Sequence, residues 1–221
     1  MDPNLPTAMN FHASPDRIRQ DLFDRLHWNV FGPLGDISVR DGTTLTPFTD
    51  HAIGSESIAD PPVARIAVQI NACQEKYSMD ETEEEKYRYQ SPAPLVIEKF
   101  DGAPILLSDF VAQVHLFLNA NKEEIYKCED EIYTQPTELE DGWKFVGVDP
   151  DEFDSFEDED ESAEPSHFWR SGNIPADSRF FFDQAQFNAV DTDEFEAYIT
   201  FFVEGNMGTS FEQFWERRAG V

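Results

Sequence analysis

A run of carboxylates interrupts the middle of this chain. Ten of the sixteen residues from 149 to 164 are Asp or Glu, and the run contains no Lys or Arg. Like charges at this density repel one another and leave few apolar side chains to build a core. Because both flanks carry apolar patterns typical of ordered structure, we expect a disordered acidic loop at 149–166. It would interrupt a single domain over 14–221, preceded by a flexible leader at 1–13.

The acidity extends over the whole protein, whose formal net charge is −29 at pH 7. The 16 Lys and Arg residues are scattered, and close neighbours occur only at Arg17/Arg19 and Arg217/Arg218. Contacts to phosphates need clustered cations, so we expect no nucleic-acid ligand. An anionic membrane surface would repel the chain for the same reason, and no membrane association is expected.

Three explanations of this charge compete. Net charge of this size keeps a protein soluble and monomeric without any partner. Adaptation to high salt is a second explanation, although the 20 Phe residues fit poorly with a chain that thins its large apolar side chains. The third is recruitment of a basic partner.

Compartment and redox state follow from apolar runs and cysteines. The first thirty residues hold no apolar stretch of signal-peptide length, and no later window approaches about 18 apolar residues. We therefore expect a soluble intracellular protein, cytoplasmic or nuclear. Cys73 and Cys128 lie outside any Cys-x-x-Cys pattern, which indicates reduced and buried thiols.

Periodicity and turn signals predict the elements. Ser14 stands as an N-cap before a helix with apolar residues at Ile18, Leu22 and Leu26, and Asp41-Gly42 is a hairpin signal. The segment 63–70 fits either a strand or a short helix, and 78–90 reads as a polar connection with at most one exposed helical turn.

The second half has the stronger patterns. They predict strands at 95–100, 179–183 and 194–203, of which the last two pair antiparallel. They also predict a helix from Asp109 to about Glu131 with a bend near 119–121, and a second helix after the Ser210/Gln213 capping box. The fold class expected from this order is α+β. An antiparallel or mixed sheet would carry amphipathic helices packed on one face, interrupted by the acidic loop.

Motifs for specific chemistry are missing from the sequence. The five histidines form no zinc-hydrolase pair, and no nucleophile elbow, phosphate-binding loop or dinucleotide-binding turn occurs. An EF-hand register starting at Asp158 fails, because Ala163 takes the glycine position and Trp169 the glutamate position. We predict no cofactor and no metal site. Enzymatic activity stays open, because the many carboxylates allow any acid/base pairing and Cys73 is a conceivable nucleophile.

The leading hypothesis is a protein-interaction domain that engages a basic protein through its acidic surface and loop, with its oligomeric state left open. Aromatic side chains among acids are typical of segments that dock on basic, apolar grooves. Phe153, Phe156, Phe168 and Trp169 could equally pin the loop to its own domain. The predicted partner-binding residues are Asp151, Glu152, Phe153, Asp154, Phe156, Glu157, Asp158, Glu159, Asp160 and Glu161.

The alternative is a small-molecule enzyme or carrier. Its apolar pocket would be lined by the Phe-rich strands, such as Phe180 to Phe182, and by the long helix. The same phenylalanines would serve equally well as the packing core of a sheet. Ionic strength separates the two functions, because charge-driven binding weakens in salt and occupancy of an apolar pocket does not.

Overall fold

A computed structural model describes residues 18–80, 84–138, 144–145, 169–171, 174–188 and 195–218. The contacts group the chain into two compact units, one formed by 1–125 and 179–202, the other by 126–178 and 203–221. The prediction of one domain over 14–221 is not tested by this division and stays a prediction.

The described part of the chain contains helices together with antiparallel and mixed sheets, which confirms the α+β class. In chain order the elements are α1 (Gln20–Phe23), β1 (Leu26–His27), β2 (Ser38–Asp41), β3 (Thr44–Pro47), β4 (Arg65–Ile70), α2 (Asn71–Met79), β5 (Leu95–Glu98), α3 (Leu107–Ala120), α4 (Lys122–Ile132), β6 (Thr134–Glu138), β7 (Lys144–Phe145), β8 (Trp169–Ser171), β9 (Phe180–Asn188), β10 (Glu196–Val203) and α5 (Phe211–Arg218).

The first unit begins with a small antiparallel sheet of order β1-β2-β3. The Asp41-Gly42 turn is confirmed, and Gly42 has a φ of +60° that a side chain would strain. The helix predicted through Leu26 is wrong, because α1 ends at Phe23 and Leu26 pairs with Val39 instead. Cross-strand pairing overrides the helical spacing there, although Leu26 is buried as the spacing required.

The central sheet of the first unit has the strand order β5-β4-β10-β9. β4 runs antiparallel to β5 and parallel to β10, so the sheet is mixed. The segment 63–70, which the sequence left open between strand and helix, is the strand β4. Of its six residues five are buried, which explains why its apolar run shows no clear period.

A 24-residue connection, 71–94, joins β4 to its antiparallel neighbour β5. The exposed helical turn expected within 78–90 is confirmed as a 3-10 turn at Glu85–Tyr87. Sequence reasoning missed α2, which begins directly after β4 and buries only Ala72 and Cys73. With such a narrow apolar stripe, α2 has no amphipathic signal to read.

The long helix predicted from Asp109 to Glu131 is two helices that meet at Asn121. The Asn121 side-chain Nδ2 donates to Phe117 O at 2.8 Å, and its backbone leaves the helical range at φ −107° and ψ 16°. This confirms the expected bend. Ser108, just before Asp109, is a residue type typical of an N-cap and is expected to be one from the sequence, but α3 already begins at Leu107. Asp109 Oδ2 accepts a hydrogen bond from Leu106 N at 3.3 Å.

Aromatic rings form the core between α1, α3 and β9. The Phe23 ring lies 5.2 Å from Phe110 and 5.3 Å from Phe182, so it joins the three elements. Burying each such ring contributes roughly 1.5–3 kcal/mol. The largest fully buried side chains in this core are Trp28, Phe23, Phe110, Phe180, Phe181 and Phe182.

In the second unit β6 pairs antiparallel with both β7 and β8. The Ser210/Gln213 capping box is confirmed: Gln213 N donates to Ser210 Oγ at 3.3 Å and Ser210 N to Gln213 Oε1 at 2.8 Å. α5 follows and buries Phe214 and Trp215. Gly205, at φ +88°, leaves no room for a side chain because Tyr133 Oη would lie 2.7 Å from a Cβ there.

Candidate interaction surface

The predicted contact segment, 151–161, lies outside the described residues. This holds for each of the ten predicted partner-binding residues, and the assignment of the segment stays a prediction. Phe168 also lies outside the described residues. Trp169 is placed in β8, where its backbone pairs with Pro136.

Many basic side chains of the described chain are engaged within the chain itself. Arg25 pairs with the Asp41 carboxylate, and the nitrogen-to-oxygen distances of four further ion pairs are 2.8 Å in Arg19–Asp21, 3.7 Å in Arg65–Glu98, 2.7 Å in Lys86–Glu84 and 2.8 Å in Lys99–Asp109. Others lie over aromatic rings, at 5.1 Å for Lys76–Tyr89, 5.0 Å for Lys122–Phe31, 5.4 Å for Arg179–Phe181 and 5.5 Å for Arg218–Phe214.

The hydrogen bond from Arg19 holds the pKa of Asp21 below its ordinary value. Five other exposed carboxylates have no basic partner in the part of the chain that the structure describes. Within the described ranges, no basic side chain pairs with Asp36, Asp50, Glu123, Glu212 or Glu216. The described surface therefore presents unneutralised negative charge, while many of its cations are already bound.

The connection 71–94 adds exposed apolar side chains to this acidic surface. Tyr77, Met79 and Tyr87 are exposed, and Glu75 and Glu84 lie close to them in the sequence. We name Tyr77, Met79 and Tyr87 the connection surface. Sequence reasoning missed it, although the alternation of aromatic and acidic residues in 75–89 is the same signal that pointed to 151–161.

Three contacts fix the two halves of this connection to each other. Gln74 Nε2 donates to Ser91 Oγ at 2.7 Å, Asp80 accepts a hydrogen bond from Tyr89 N, and Lys76 lies over the Tyr89 ring. Side chains presented by a fixed backbone lose less conformational entropy on binding, which favours a recognition role.

A histidine and an aspartate form the most enzyme-like pair in the described chain. Asp41 Oδ2 lies 2.8 Å from His51 Nε2, and Arg25 also contacts the carboxylate, which holds the pKa of Asp41 below its ordinary value. His51 Nδ1 accepts a hydrogen bond from Ile53 N at 3.2 Å. Both ring nitrogens are thus engaged, so the neutral ring has no lone pair for a substrate proton. The pair ties the β2–β3 hairpin to the 3-10 turn Ala52–Ser55.

Other reactive groups are enclosed or separate. His115 is buried on α3, its pKa is lowered by that burial, and its ring lies 6.4 Å from the Trp28 ring inside the core. Cys73 and Cys128 are both buried and form no disulfide, as predicted. No cluster of three or more His, Cys, Asp or Glu with metal-binding geometry occurs among the described residues.

The Phe-rich strand β9 packs against other aromatic rings. The Phe182 ring is stacked 5.0 Å from Trp28, and the Phe180 ring lies 5.1 Å from Phe31. Both phenylalanines are at most 1% exposed. These contacts support the core interpretation of the strand and give the pocket alternative no support.

None of the helices within the described ranges combines the length and apolar composition that a bilayer-spanning segment requires. Comparisons with models of protein families, with curated proteins and with solved structures found no match for this chain.

Proposed function

We propose that this protein is an interaction domain that binds a basic protein partner through its acidic surface, with residues 151–161 as the main contact segment. The observation that carries the proposal is the imbalance of the described surface. Its cations are widely engaged in ion pairs and ring contacts, while carboxylates such as Asp36 and Glu123 have no basic partner among the residues that the structure describes. Such a surface attracts cationic proteins and repels nucleic acids and anionic lipids.

Charge alone gives speed and orientation, and affinity needs apolar anchors. Phe153 and Phe156 would supply them in the acidic segment, and the connection surface would supply them on the first unit. A partner that fits carries Lys and Arg residues around an apolar groove or strip. No residue that the structure describes favours the enzyme or carrier alternative.

The test is capture of partners from an extract of the source cells, followed by affinity measurement with the purified candidate. Capture is compared at about 0.1 M and about 1 M salt, where the Debye length falls from ~10 Å to ~3 Å. We expect a protein rich in Lys and Arg whose binding weakens strongly at high salt. A partner that binds equally at both salt concentrations, or that is itself acidic, contradicts the proposal.

Two variants with equal charge change locate the contact. The first replaces Asp158, Glu159, Asp160 and Glu161 by amides, and the matched control does the same at Asp36, Asp50, Glu123 and Glu216. The first should weaken the affinity by about tenfold or more, a change that corresponds to about 1.4 kcal/mol. The control should change it much less. Equal losses would show that only net charge matters and that 151–161 has no special role.

A third variant, Phe153→Ser with Phe156→Ser, keeps every carboxylate. It should lose most of the specific binding while the melting temperature stays the same, because apolar anchors supply affinity. Undiminished binding would reduce the segment to a generic polyanion. Parallel loss of binding and of cooperative melting would assign both phenylalanines to a core.

A further inference from the structure

One edge of the central sheet has backbone groups with no strand beside them among the described residues. β5 is the terminal strand of the order β5-β4-β10-β9, and within the ranges that the structure describes its only strand neighbour is β4. Lys99 N donates to Ala64 O at 2.8 Å in the same register that pairs Ile97 with Ile66. In an antiparallel pair the residues that bond to the neighbour alternate with residues that face away. Leu95 and Ile97 therefore bond to β4, and Val96 and Glu98 direct their N–H and C=O groups outward.

These outward groups are unused in the described chain. No hydrogen bond from the part of the chain that the structure describes reaches the backbone of Val96 or Glu98. The edge thus offers two donors and two acceptors, spaced for a single added strand. Pro92 and Pro94 precede it and have no N–H, which limits further pairing on that side and keeps the edge short.

The exposed side chains of this edge include both apolar and acidic residues. Ile97 is fully buried in the core, whereas Val96 is 45% exposed and Phe100, just beyond the strand, is 93% exposed. Glu98 is also exposed and shares its face of the sheet with Val96, and the Arg65 guanidinium lies 3.7 Å from its carboxylate. An incoming strand would meet one apolar and one acidic position, with Phe100 as a further apolar contact.

The charge decides between the two simplest occupants. A second copy of this chain would bring another net charge of −29 to the edge, and Glu98 and Asp101 of each copy would add like charges there. A basic extended segment would place Lys or Arg opposite Glu98, which stabilises cross-strand pairs. We propose that the free edge of β5 binds an extended basic segment of the protein partner as an added strand.

This inference rests on the proposed function and specifies its mode of binding. The connection 71–94 also leads directly into this edge, because Ser91, held by Gln74, is followed by the two prolines and then by β5. A partner bound as a strand along β5 could therefore extend toward the end of the sheet where the 71–94 connection begins. Main-chain hydrogen bonds would supply affinity and the alternate side chains specificity.

The test uses the full chain and three synthetic peptides of equal length. The first alternates lysine and valine, the second has the same number of lysines among glycine and serine, and the third replaces lysine by glutamate in the first. We expect the lysine-valine peptide to bind at least about tenfold more tightly than the lysine-glycine-serine peptide. Its binding should also slow hydrogen exchange at the amides of Val96 and Glu98.

Val96→Pro removes one outward donor, and Val96→Thr is the matched control that keeps it. Val96→Pro should abolish the advantage of the lysine-valine peptide, and Val96→Thr should keep it. If Val96→Pro fails to fold, Glu98→Lys replaces it, and this variant should shift the preference from the lysine-valine to the glutamate-valine peptide. Equal binding by Val96→Pro and Val96→Thr, or no shift with Glu98→Lys, overturns the inference.

The outcomes separate this inference from the function on which it rests. Equal binding of both lysine peptides, weakened by the amide variant at 158–161, would retain the basic partner and reject strand addition. Failure of both lysine peptides and of every basic protein to bind would reject the proposed function itself. Self-association in sedimentation that Val96→Pro removes would assign the edge to a second copy and overturn the inference.

Discussion

The two edges of the central sheet differ in whether another segment of the described chain pairs with them. At the β9 edge the segment after β1 runs antiparallel to Phe180–Phe182: Val30 N donates to Phe180 O at 2.9 Å and Phe182 N to Trp28 O at 3.0 Å. Trp28 and Val30 are fully buried. At the β5 edge the described chain supplies no such partner, and Val96 and Phe100 remain exposed.

We call the β9 edge the closed edge and the β5 edge the open edge; the first stabilises the fold, and the second is where we propose that a partner binds. The closed edge combines backbone hydrogen bonds with ring stacking, and Asn119 Nδ2 from α3 adds a bond to Val30 O at 2.9 Å. At the open edge Ile97 is buried, but Val96 and Phe100 are exposed. Unpaired strand edges can cause aggregation. Here the risk is reduced by the short length of β5, by the prolines that precede it and by the negative charge of the protein.

The strongest contrast should come from removing one aromatic ring at each edge. Trp28→Ala deletes a ring stacked 5.0 Å from Phe182 inside the core and should cost about 3–5 kcal/mol of unfolding free energy. Phe100→Ala deletes a ring that is 93% exposed and should change stability by less than about 0.5 kcal/mol. Urea denaturation followed by circular dichroism measures both. Similar losses in the two variants would mean that the edges do not differ as described.

Local signals in the sequence predicted the features that depend on local chemistry. The Asp41-Gly42 turn, the Ser210/Gln213 capping box and the bend at Asn121 are all correct. Each depends on a few neighbouring residues whose side chains bond to their own backbone or tolerate its conformation.

Features set by distant residues were missed. Leu26 has the spacing of a helix, but its partner Val39 and the bond from Arg40 N to Arg25 O place it in a strand. Which edge of the sheet stays open depends on the parallel pairing of β4 with β10, residues more than 120 positions apart. The connection surface depends on α2, whose exposed Tyr77 and Met79 belong to a helix without an amphipathic pattern. No single-sequence pattern encodes the strand partner of Leu26 or the choice of the open edge.

A proline substitution at each edge tests the backbone directly. Val30→Pro removes the N–H that donates to Phe180 O and leaves that carbonyl without its bond, so the unfolding free energy should fall by about 1–3 kcal/mol or more. Val96→Pro removes an N–H that faces outward, a position where edge strands accept proline, and its cost should be smaller. Thermal melts of both variants give the comparison. A larger loss for Val96→Pro would show that the β5 edge is paired.

Acid should weaken the closed edge in a way that traces to His115. Its ring lies 6.4 Å from the Trp28 ring, and burial holds its pKa below the ordinary value of about 6.5. A group whose pKa is lower in the folded than in the unfolded protein binds its proton first in the unfolded chain. The contribution of His115 to the free energy of unfolding is therefore fully present above about pH 7. It falls as the pH drops from there toward the pKa of His115 in the folded protein.

One such histidine changes the free energy of unfolding by at most about 1.4 kcal/mol per pH unit. Burial also lowers the pKa of His27, so this residue adds a pH dependence of the same sign. Carboxylates with lowered pKa values, such as Asp21, change the free energy of unfolding only below about pH 4. His115→Gln should flatten the dependence of the urea midpoint between about pH 7 and pH 5, and His27→Gln combined with it should flatten it further. Phe100→Ala, at the open edge, should keep the original slope. If His115→Gln keeps that slope too, protonation of His115 is not what weakens the closed edge in acid.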